Sequence, residues 1–111
     1  GAIELRPRRQ FYDYKAKYNK SSKTLHVMPA EIPRNKYREL LKISEKVNKI
    51  LKCKGISRFD FRYDKKNFYI LEANTQPGMT DLSLVPEIAR HCKISFTNLI
   101  KWIVKDASIN R

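Results

Sequence analysis

The chain has 111 residues, a formal net charge of +13 and 41% hydrophobic residues. This length predicts one small domain or a piece of a larger protein, and the 11% aromatic content argues against a disordered tail. No apolar run reaches the ~18 residues that a membrane-spanning helix needs, and nothing resembles a signal peptide, so we expect no membrane partner.

Two further features of the composition bear on location and partners. Cys53 and Cys92 lack metal-binding spacing, which predicts reduced, half-buried thiols in a cytoplasmic protein. The positive charge would suit nucleic acid, anionic membranes or phosphate-rich ligands. The lysines are scattered along the chain, however, so we expect no dedicated nucleic-acid binding.

The first third of the chain predicts two short strands separated by a long loop. Residues 2–7 and 25–28 have strand-like composition, and Pro29 ends the second strand. Residues 11–24 are aromatic and basic, then polar and rich in turn-forming residues. Loops of this length in a compact domain are usually lids or binding loops, so we expect this one to cover a site.

A helix is predicted next, because apolar residues recur at helical spacing between residues 37 and 51. Pro33 and Arg34 lie at its start, with Asn35 as the expected N-cap. The helix is expected to end at Lys54 and Gly55, where Gly55 can adopt the left-handed C-terminal conformation.

Two strand-like segments, 57–63 and 68–74, predict a β-hairpin with one polar face. Residues two apart on a strand share a face, so Arg58 lies beside Asp60, and Glu72 beside Asn74. The same alternation places Phe68 and Ile70 with Glu72. The aromatic residues of the first strand share its opposite face: Phe59, Phe61 and Tyr63.

The short polar linker between these strands sets their expected register. A three-residue loop, 65–67, with Asn67 in the left-handed conformation, pairs Asp60 with Glu72. The same register pairs Arg58 with Asn74. It also pairs Phe61 with Leu71. A two-residue loop would pair Glu72 with Phe59 and mix polar and apolar faces, which argues against it.

Two facing carboxylates and an amide oxygen make a hard-oxygen site, which suits Mg²⁺ with substrate phosphates as further ligands. The alternative is a surface charge ladder, in which Asp60 and Glu72 pair with Arg58 and Arg62. The hairpin alone does not decide between these two interpretations.

The rest of the chain predicts two helices. Pro77 and Gly78 break the chain, and Ser83 is expected to cap a short helix that ends near Cys92. Ser95 is expected to cap a last helix, with Trp102 off its apolar stripe. The whole pattern predicts an α+β fold, an antiparallel β-sheet with helices packed on one side.

The start of the Ser83 helix also predicts an anion site. Free backbone N–H groups and the helix dipole favour an anion there, and Gly78 lets the backbone approach a ligand closely. The commoner alternative is that Ser83 only caps the helix. If both sites exist, they suit phosphoryl or acyl transfer onto a small acid.

Four segments together carry a family resemblance. They are FYDYKAKY at 11–18, GISRFD at 55–60, LEANTQPGMT at 71–80 and SLVP at 83–86. In this order and spacing they closely resemble the C-terminal part of the D-alanine–D-alanine ligases, which belong to the ATP-grasp superfamily. The resemblance covers nearly the whole chain and implies a C-terminal ATP-grasp subdomain over residues 1–111.

The resemblance implies ATP-dependent joining of two D-alanines for peptidoglycan. ATP phosphorylates the carboxylate of the first D-alanine, and the amine of the second attacks the acyl phosphate through a tetrahedral intermediate. Two Mg²⁺ ions, with Mn²⁺ as a substitute, would be held by Asp60, Glu72 and Asn74, with Glu72 bridging.

The remaining roles that the resemblance implies concern the second D-alanine. Arg58 and the Gly78 N–H would stabilise the oxyanion of the tetrahedral intermediate. The carboxylate of the second D-alanine would be held by Ser83, the Leu84 N–H and Lys17. Tyr18 would close the loop over the site. Lys15 departs from the family, which usually has Glu there.

Because the family's N-terminal and central domains have no counterpart in these residues, the chain is expected to be a fragment. We expect it to be inactive alone and to self-associate through apolar surface that the other domains cover, whereas the full-length family forms homodimers. Two alternatives stay open: another ATP-grasp ligase, such as a D-alanine–D-lactate ligase, or a non-catalytic basic binding module.

Overall fold

Four strands and three helices make up the part of the chain that the computed structural model describes, residues 1–7 and 24–109. Their bounds in chain order are β1 Glu4–Arg6, β2 Leu25–Val27, α1 Arg34–Ile50, β3 Arg58–Tyr63, β4 Phe68–Asn74, α2 Leu84–His91 and α3 Phe96–Asp106. The strands form two antiparallel pairs, β1 with β2 and β3 with β4. The predicted α+β class is therefore confirmed.

Polar contacts of Arg6 connect the β1–β2 pair to the segment that follows β2. The Arg6 guanidinium contacts Glu4 and donates to Glu31 over 3.0 Å. Arg6 is the main cause of a lowered pKa at the Glu4 carboxyl. The predicted covering loop, 11–24, lies outside the described residues apart from Thr24.

Helix α1 begins one residue before the expected N-cap. Pro33, not Asn35, occupies the N-cap position, with an extended ψ of 142° and no side-chain cap. The Pro33 carbonyl accepts the first helical hydrogen bond, from the Tyr37 N–H at 2.9 Å. The Asn35 prediction was wrong because Asn35 is already the second residue of the helix, whereas an N-cap residue has the extended backbone that Pro33 adopts.

Helices α1 and α2 both end in a Schellman motif with lysine in the left-handed position. Lys52 has φ 54°, and the Cys53 N–H reaches back to the Asn48 carbonyl over 3.1 Å. Lys93, at φ 63°, follows α2 in the same way. The prediction that α1 continues to Gly55 was therefore wrong, although Gly55 does have a left-handed φ of 69°. The two capping hydrogen bonds offset the cost of a left-handed lysine.

The described part of the chain buries few side chains. Its buried residues are Pro77, Pro86, Ala89 and Leu99. Pro86 and Ala89 belong to α2 and Leu99 to α3, and these two helices pack together. Ser95 caps α3 as predicted, since its hydroxyl accepts from the Asn98 N–H at 3.1 Å. Trp102 is 49% exposed, as expected for a residue off the apolar stripe.

Both cysteines are unpaired. Cys53 is half-buried, as predicted, but Cys92 is exposed because it follows the last turn of α2 at the surface. Among the described residues, no helix is long and apolar enough to cross a membrane.

Candidate active site

The polar face of the β3–β4 hairpin has the expected register. Asp60 lies opposite Glu72, and Arg58 lies opposite Asn74. Residues paired across neighbouring strands share a face, so these four side chains project from the same side of the hairpin. The geometry brings together the three predicted metal ligands and the predicted oxyanion-binding arginine.

A β-bulge at Leu71 changes the register beyond these pairs. Phe61 pairs with Ile70, not with Leu71 as predicted, and Tyr63 pairs with Phe68. The expected three-residue loop was also wrong, because four residues, 64–67, connect the strands.

The loop owes its shape to the Asp64 carboxylate. This carboxylate accepts hydrogen bonds from the Asn67 N–H at 2.6 Å and the Lys66 N–H at 2.9 Å. These two bonds, with a smaller contribution from the Tyr69 hydroxyl, lower the pKa of Asp64 below its ordinary value. Lys65, not Asn67, takes the left-handed conformation, at φ 73°.

The bulge places Phe68 and Ile70, at the start of β4, on the opposite face of the hairpin from Glu72. Phe68 packs with Phe61 and stacks on Tyr63 at a centroid distance of 4.5 Å, so its predicted place beside Glu72 was wrong, as was that of Ile70. A one-residue slip reverses which face each side chain occupies. Because the slip begins after the Asp60–Glu72 pair, the aromatic cluster forms without disturbing the polar face.

Arg58 neutralises one of the two facing carboxylates. Its Nε donates to Asp60 Oδ1 at 2.8 Å, and its Nη2 donates to Oδ2 at 3.1 Å, a bidentate pair along one strand. This contact is part of the predicted charge ladder. The rest of the ladder is missing, since no described residue makes an ion pair or hydrogen bond with the exposed Glu72.

The oxygen atoms of this face fit a hard divalent cation. Each carboxylate oxygen has two lone pairs, so Asp60 can accept from Arg58 and still offer a lone pair to a metal ion. Asn74 Oδ1 accepts from the Gln76 N–H at 2.9 Å and retains its second lone pair. The Glu72 carboxylate is open, and a carboxylate–amide oxygen set is what Mg²⁺ prefers.

Gly78, Thr80 and Ser83 form a compact turn before α2. Ser83 is the N-cap residue, with extended backbone, but its side chain caps no N–H of the helix. Its hydroxyl lies instead 3.0 Å from the Thr80 nitrogen and 2.7 Å from the Thr80 hydroxyl. The prediction of a serine cap was therefore wrong in its hydrogen bond: the third helical residue, Pro86, has no N–H to donate, and Ser83 bonds to Thr80 instead.

Gly78 lies directly against Ser83. A Cβ added at Gly78 would come within 2.9 Å of Ser83 Oγ, closer than carbon and oxygen atoms normally approach. The structure thus brings together two predicted site residues, Gly78 and Ser83, with Leu84 as the first residue of α2. Lys17 and Tyr18, the other predicted substrate contacts, lie outside the described residues.

Thr80 was not among the predicted site residues. Its signal in the sequence is the spacing Thr80-x-x-Ser83 directly after the Pro77–Gly78 break, which can place two hydroxyls within one turn. That spacing is common in proteins, and only the path of the chain shows that the hydroxyls meet.

The family model described as "D-ala D-ala ligase C-terminus" matches residues 1–105. This match covers nearly the whole chain, including the polar hairpin face. The chain therefore belongs to the D-alanine–D-alanine ligase C-terminal family.

Relatives with the name "D-alanine--D-alanine ligase" match all or nearly all of the chain. The protein from Pelagibacter ubique is 59% identical over 111 residues, which are 100% of this chain and 36% of the relative. The protein from Rickettsia typhi is 50% identical, with coverage of 97% and 34%. The chain thus spans about a third of the length of the curated relatives it matches.

Two solved structures of the Bacillus anthracis D-alanine–D-alanine ligase superpose well on the chain. One has a TM-score of 0.77 at 33% identity. The other, which is complexed with ATP, has a TM-score of 0.76 at 34% identity. Each match covers 94% of this chain and 34% of the solved chain.

Proposed function

We propose that residues 1–111 form a single domain, the C-terminal ATP-grasp subdomain of an ATP-dependent D-alanine–D-alanine ligase, which makes D-alanyl-D-alanine for peptidoglycan. The observation that carries the proposal is the pairing of Asp60 with Glu72 and of Arg58 with Asn74 on one hairpin face. Family membership and the ATP complex of the Bacillus anthracis ligase support the choice of reaction and of ATP.

The hairpin face would hold the metal ions. Asp60, Glu72 and Asn74 would supply the oxygen ligands for two Mg²⁺ ions, or for Mn²⁺ in their place. When bound, these ions neutralise negative charge on the transferring phosphoryl group. Arg58 contributes a fixed positive charge beside Asp60, where it can stabilise an oxyanion.

The turn before α2 would bind the acceptor amino acid. The Ser83 hydroxyl and the Leu84 N–H would hold the carboxylate of the second D-alanine at the positive end of the helix dipole. The Gly78 N–H would face the oxyanion that forms when the acceptor amine attacks the acyl phosphate. Lys17 would add positive charge to the carboxylate site, and Tyr18 would close the loop over it.

A complete ligase would need partners for this domain. The N-terminal and central domains would supply the rest of the ATP cleft and the site of the first D-alanine. We place the enzyme in the cytoplasm, which supplies ATP and keeps thiols such as Cys53 and Cys92 reduced. The relatives' names do not favour a D-alanine–D-lactate ligase, and the family assignment does not favour a basic binding module.

The proposal is tested with a chimera in which these 111 residues replace the matching segment of the Pelagibacter ubique relative. With ATP, Mg²⁺ and D-alanine, the chimera should release ADP and form D-alanyl-D-alanine. Asp60→Asn and Glu72→Gln should each abolish turnover. A folded chimera without ligase activity would refute the proposed function, and efficient use of D-lactate would refute the substrate assignment.

The isolated chain should have no ligase activity and should self-associate. Its exposed apolar side chains include Leu71 at 66% and Leu51 at 53% exposure, and exposed apolar surface favours association. Light scattering that shows a monomer at high concentration would contradict self-association. Turnover by the chain alone would contradict the need for the other domains.

A further inference from the structure

We propose that Thr80 is a positioning residue that makes the Ser83 hydroxyl a hydrogen-bond donor to the acceptor's carboxylate. The proposal rests on the proposed function, since it concerns how the same site recognises the second amino acid. It assigns a role to a side chain that would not itself touch the substrate.

The contacts of Ser83 Oγ set the direction of its hydrogen bonds. The Thr80 backbone N–H can only donate, so at 3.0 Å it occupies one lone pair of Ser83 Oγ. The Thr80 hydroxyl lies 2.7 Å from the same oxygen. If it also donates, both lone pairs of Ser83 are filled, and the only hydrogen bond left to Ser83 is the one it donates.

A carboxylate ligand selects that arrangement. An ionised carboxylate can only accept hydrogen bonds, so it draws the Ser83 proton towards itself, and the Thr80 hydroxyl then donates to Ser83. Consecutive hydrogen bonds, from Thr80 to Ser83 and from Ser83 to the carboxylate, polarise one another, and this strengthens the bond to the anion. Thr80 would therefore raise affinity for an anionic acceptor without contacting it.

The same contacts leave the start of α2 open. Ser83 Oγ bonds to Thr80 and caps no N–H of α2, which leaves the N–H groups of Leu84 and Val85 to a ligand. These donors point towards the same anion site at the helix N-terminus. The absence of a side chain at Gly78 leaves the space that the Ser83 hydroxyl occupies.

A merely structural role for Thr80 makes a different prediction. It would lower the stability of the turn and reduce activity generally, without affecting the acceptor KM more than kcat. A positioning role should weaken acceptor binding while leaving turnover at saturating acceptor nearly intact, because the reacting groups are unchanged.

The test uses Thr80→Val in the chimera, which keeps the shape and the backbone N–H but removes the hydroxyl. The KM for the second D-alanine should rise about tenfold, the usual effect of losing one hydrogen bond near a charge, with kcat changed less than about threefold. Thr80→Ser restores the hydroxyl and should restore the KM. Thr97→Val, at an exposed position of α3, is the matched control and should change neither constant.

A double-mutant cycle with Ser83→Ala completes the test. If Thr80 acts through Ser83, Thr80→Val should have no further effect on the acceptor KM when Ser83 is already alanine. An unchanged KM in Thr80→Val, additive effects in the cycle, or failure of Thr80→Ser to rescue would overturn the proposal. Thr80→Ala serves the same comparison if Thr80→Val does not fold. An inactive unmutated chimera would instead refute the proposed function.

Discussion

Replacement of Gly78 by alanine should reduce acceptor use strongly and stability only slightly. An added Cβ would lie 2.9 Å from Ser83 Oγ, whereas non-bonded atoms pack at about 3.5 Å. The serine hydroxyl must therefore retreat by about half an ångström. Its bonds to Thr80, at 2.7 and 3.0 Å, cannot both survive such a shift.

The cost can be estimated from those bonds. Losing or misaligning one hydrogen bond at a site that binds a charged group costs about 1.5–3 kcal/mol. In the chimera, Gly78→Ala should therefore lower kcat/KM for the second D-alanine by at least about tenfold, since about 1.4 kcal/mol corresponds to a factor of ten. Steady-state kinetics at saturating ATP and varied D-alanine measures this effect.

Stability should respond differently. Gly78 does not have a left-handed φ, so alanine reduces the entropy of the unfolded chain by about 0.4–1 kcal/mol and offsets part of the steric cost. Gly55 is the matched control, because its φ of 69° is left-handed. Gly55→Ala should lower the free energy of unfolding by about 1 kcal/mol while leaving the acceptor KM unchanged.

A finding that Gly78→Ala and Gly55→Ala lose the same amount of stability and the same amount of acceptor use would refute this reasoning. So would a Gly78→Ala chimera with wild-type kinetics, because Ser83 would then have room that the distances do not allow. Chemical denaturation of each chimera, compared with its kinetics, separates these outcomes.

Four other changes test separate features of the chain. Ser95→Ala should cost about 1 kcal/mol in urea unfolding because it removes the α3 cap; an unchanged free energy of unfolding would contradict the cap. Lys52→Gly should stabilise the chain by up to about 1 kcal/mol in the same assay, since glycine adopts a φ of 54° without strain; a loss of stability would contradict this. Because hydrogen bonds lower the pKa of Asp64 on folding, its carboxylate contributes stability above the ordinary value of 3.8, and this contribution disappears as pH falls through the lowered pKa. The stability difference between wild type and Asp64→Ala should therefore shrink in acid, and a difference independent of pH would contradict the assignment. Glu72→Gln should weaken Mn²⁺ binding to the nucleotide-loaded chimera by at least the roughly tenfold typical of outer-shell changes, as measured by electron paramagnetic resonance; unchanged affinity would exclude Glu72 as a ligand.

Much of the polar hairpin face could be predicted without the structure. Side chains alternate along any strand, so the spacing of Arg58 and Asp60, and of Glu72 and Asn74, determines which residues share a face. The short linker then allows few registers, and only some keep polar residues together. The pairing of Asp60 with Glu72 followed from these local rules and is confirmed.

The details beyond that pair depended on competing local bonds of similar energy. A three-residue and a four-residue loop differ little in intrinsic cost. The Asp64 carboxylate favours the longer loop by accepting two N–H groups, and the aromatic packing of Phe68 on Tyr63 accompanies the resulting bulge. Similarly, capping bonds let Lys52 end α1 before Gly55 is reached.

Local spacing thus determined the fold class and the shared face of the candidate metal ligands, and the resemblance of four motifs indicated the family. Only the three-dimensional structure decided between the partners that the sequence left open: Arg58 bonds to Asp60 while Glu72 makes no ion pair with any described residue, and Ser83 bonds to Thr80 instead of its own helix. The physical reason is that strand alternation depends only on neighbouring residues. The choice among hydrogen-bond partners depends on distances of a few tenths of an ångström, which the path of the whole turn sets.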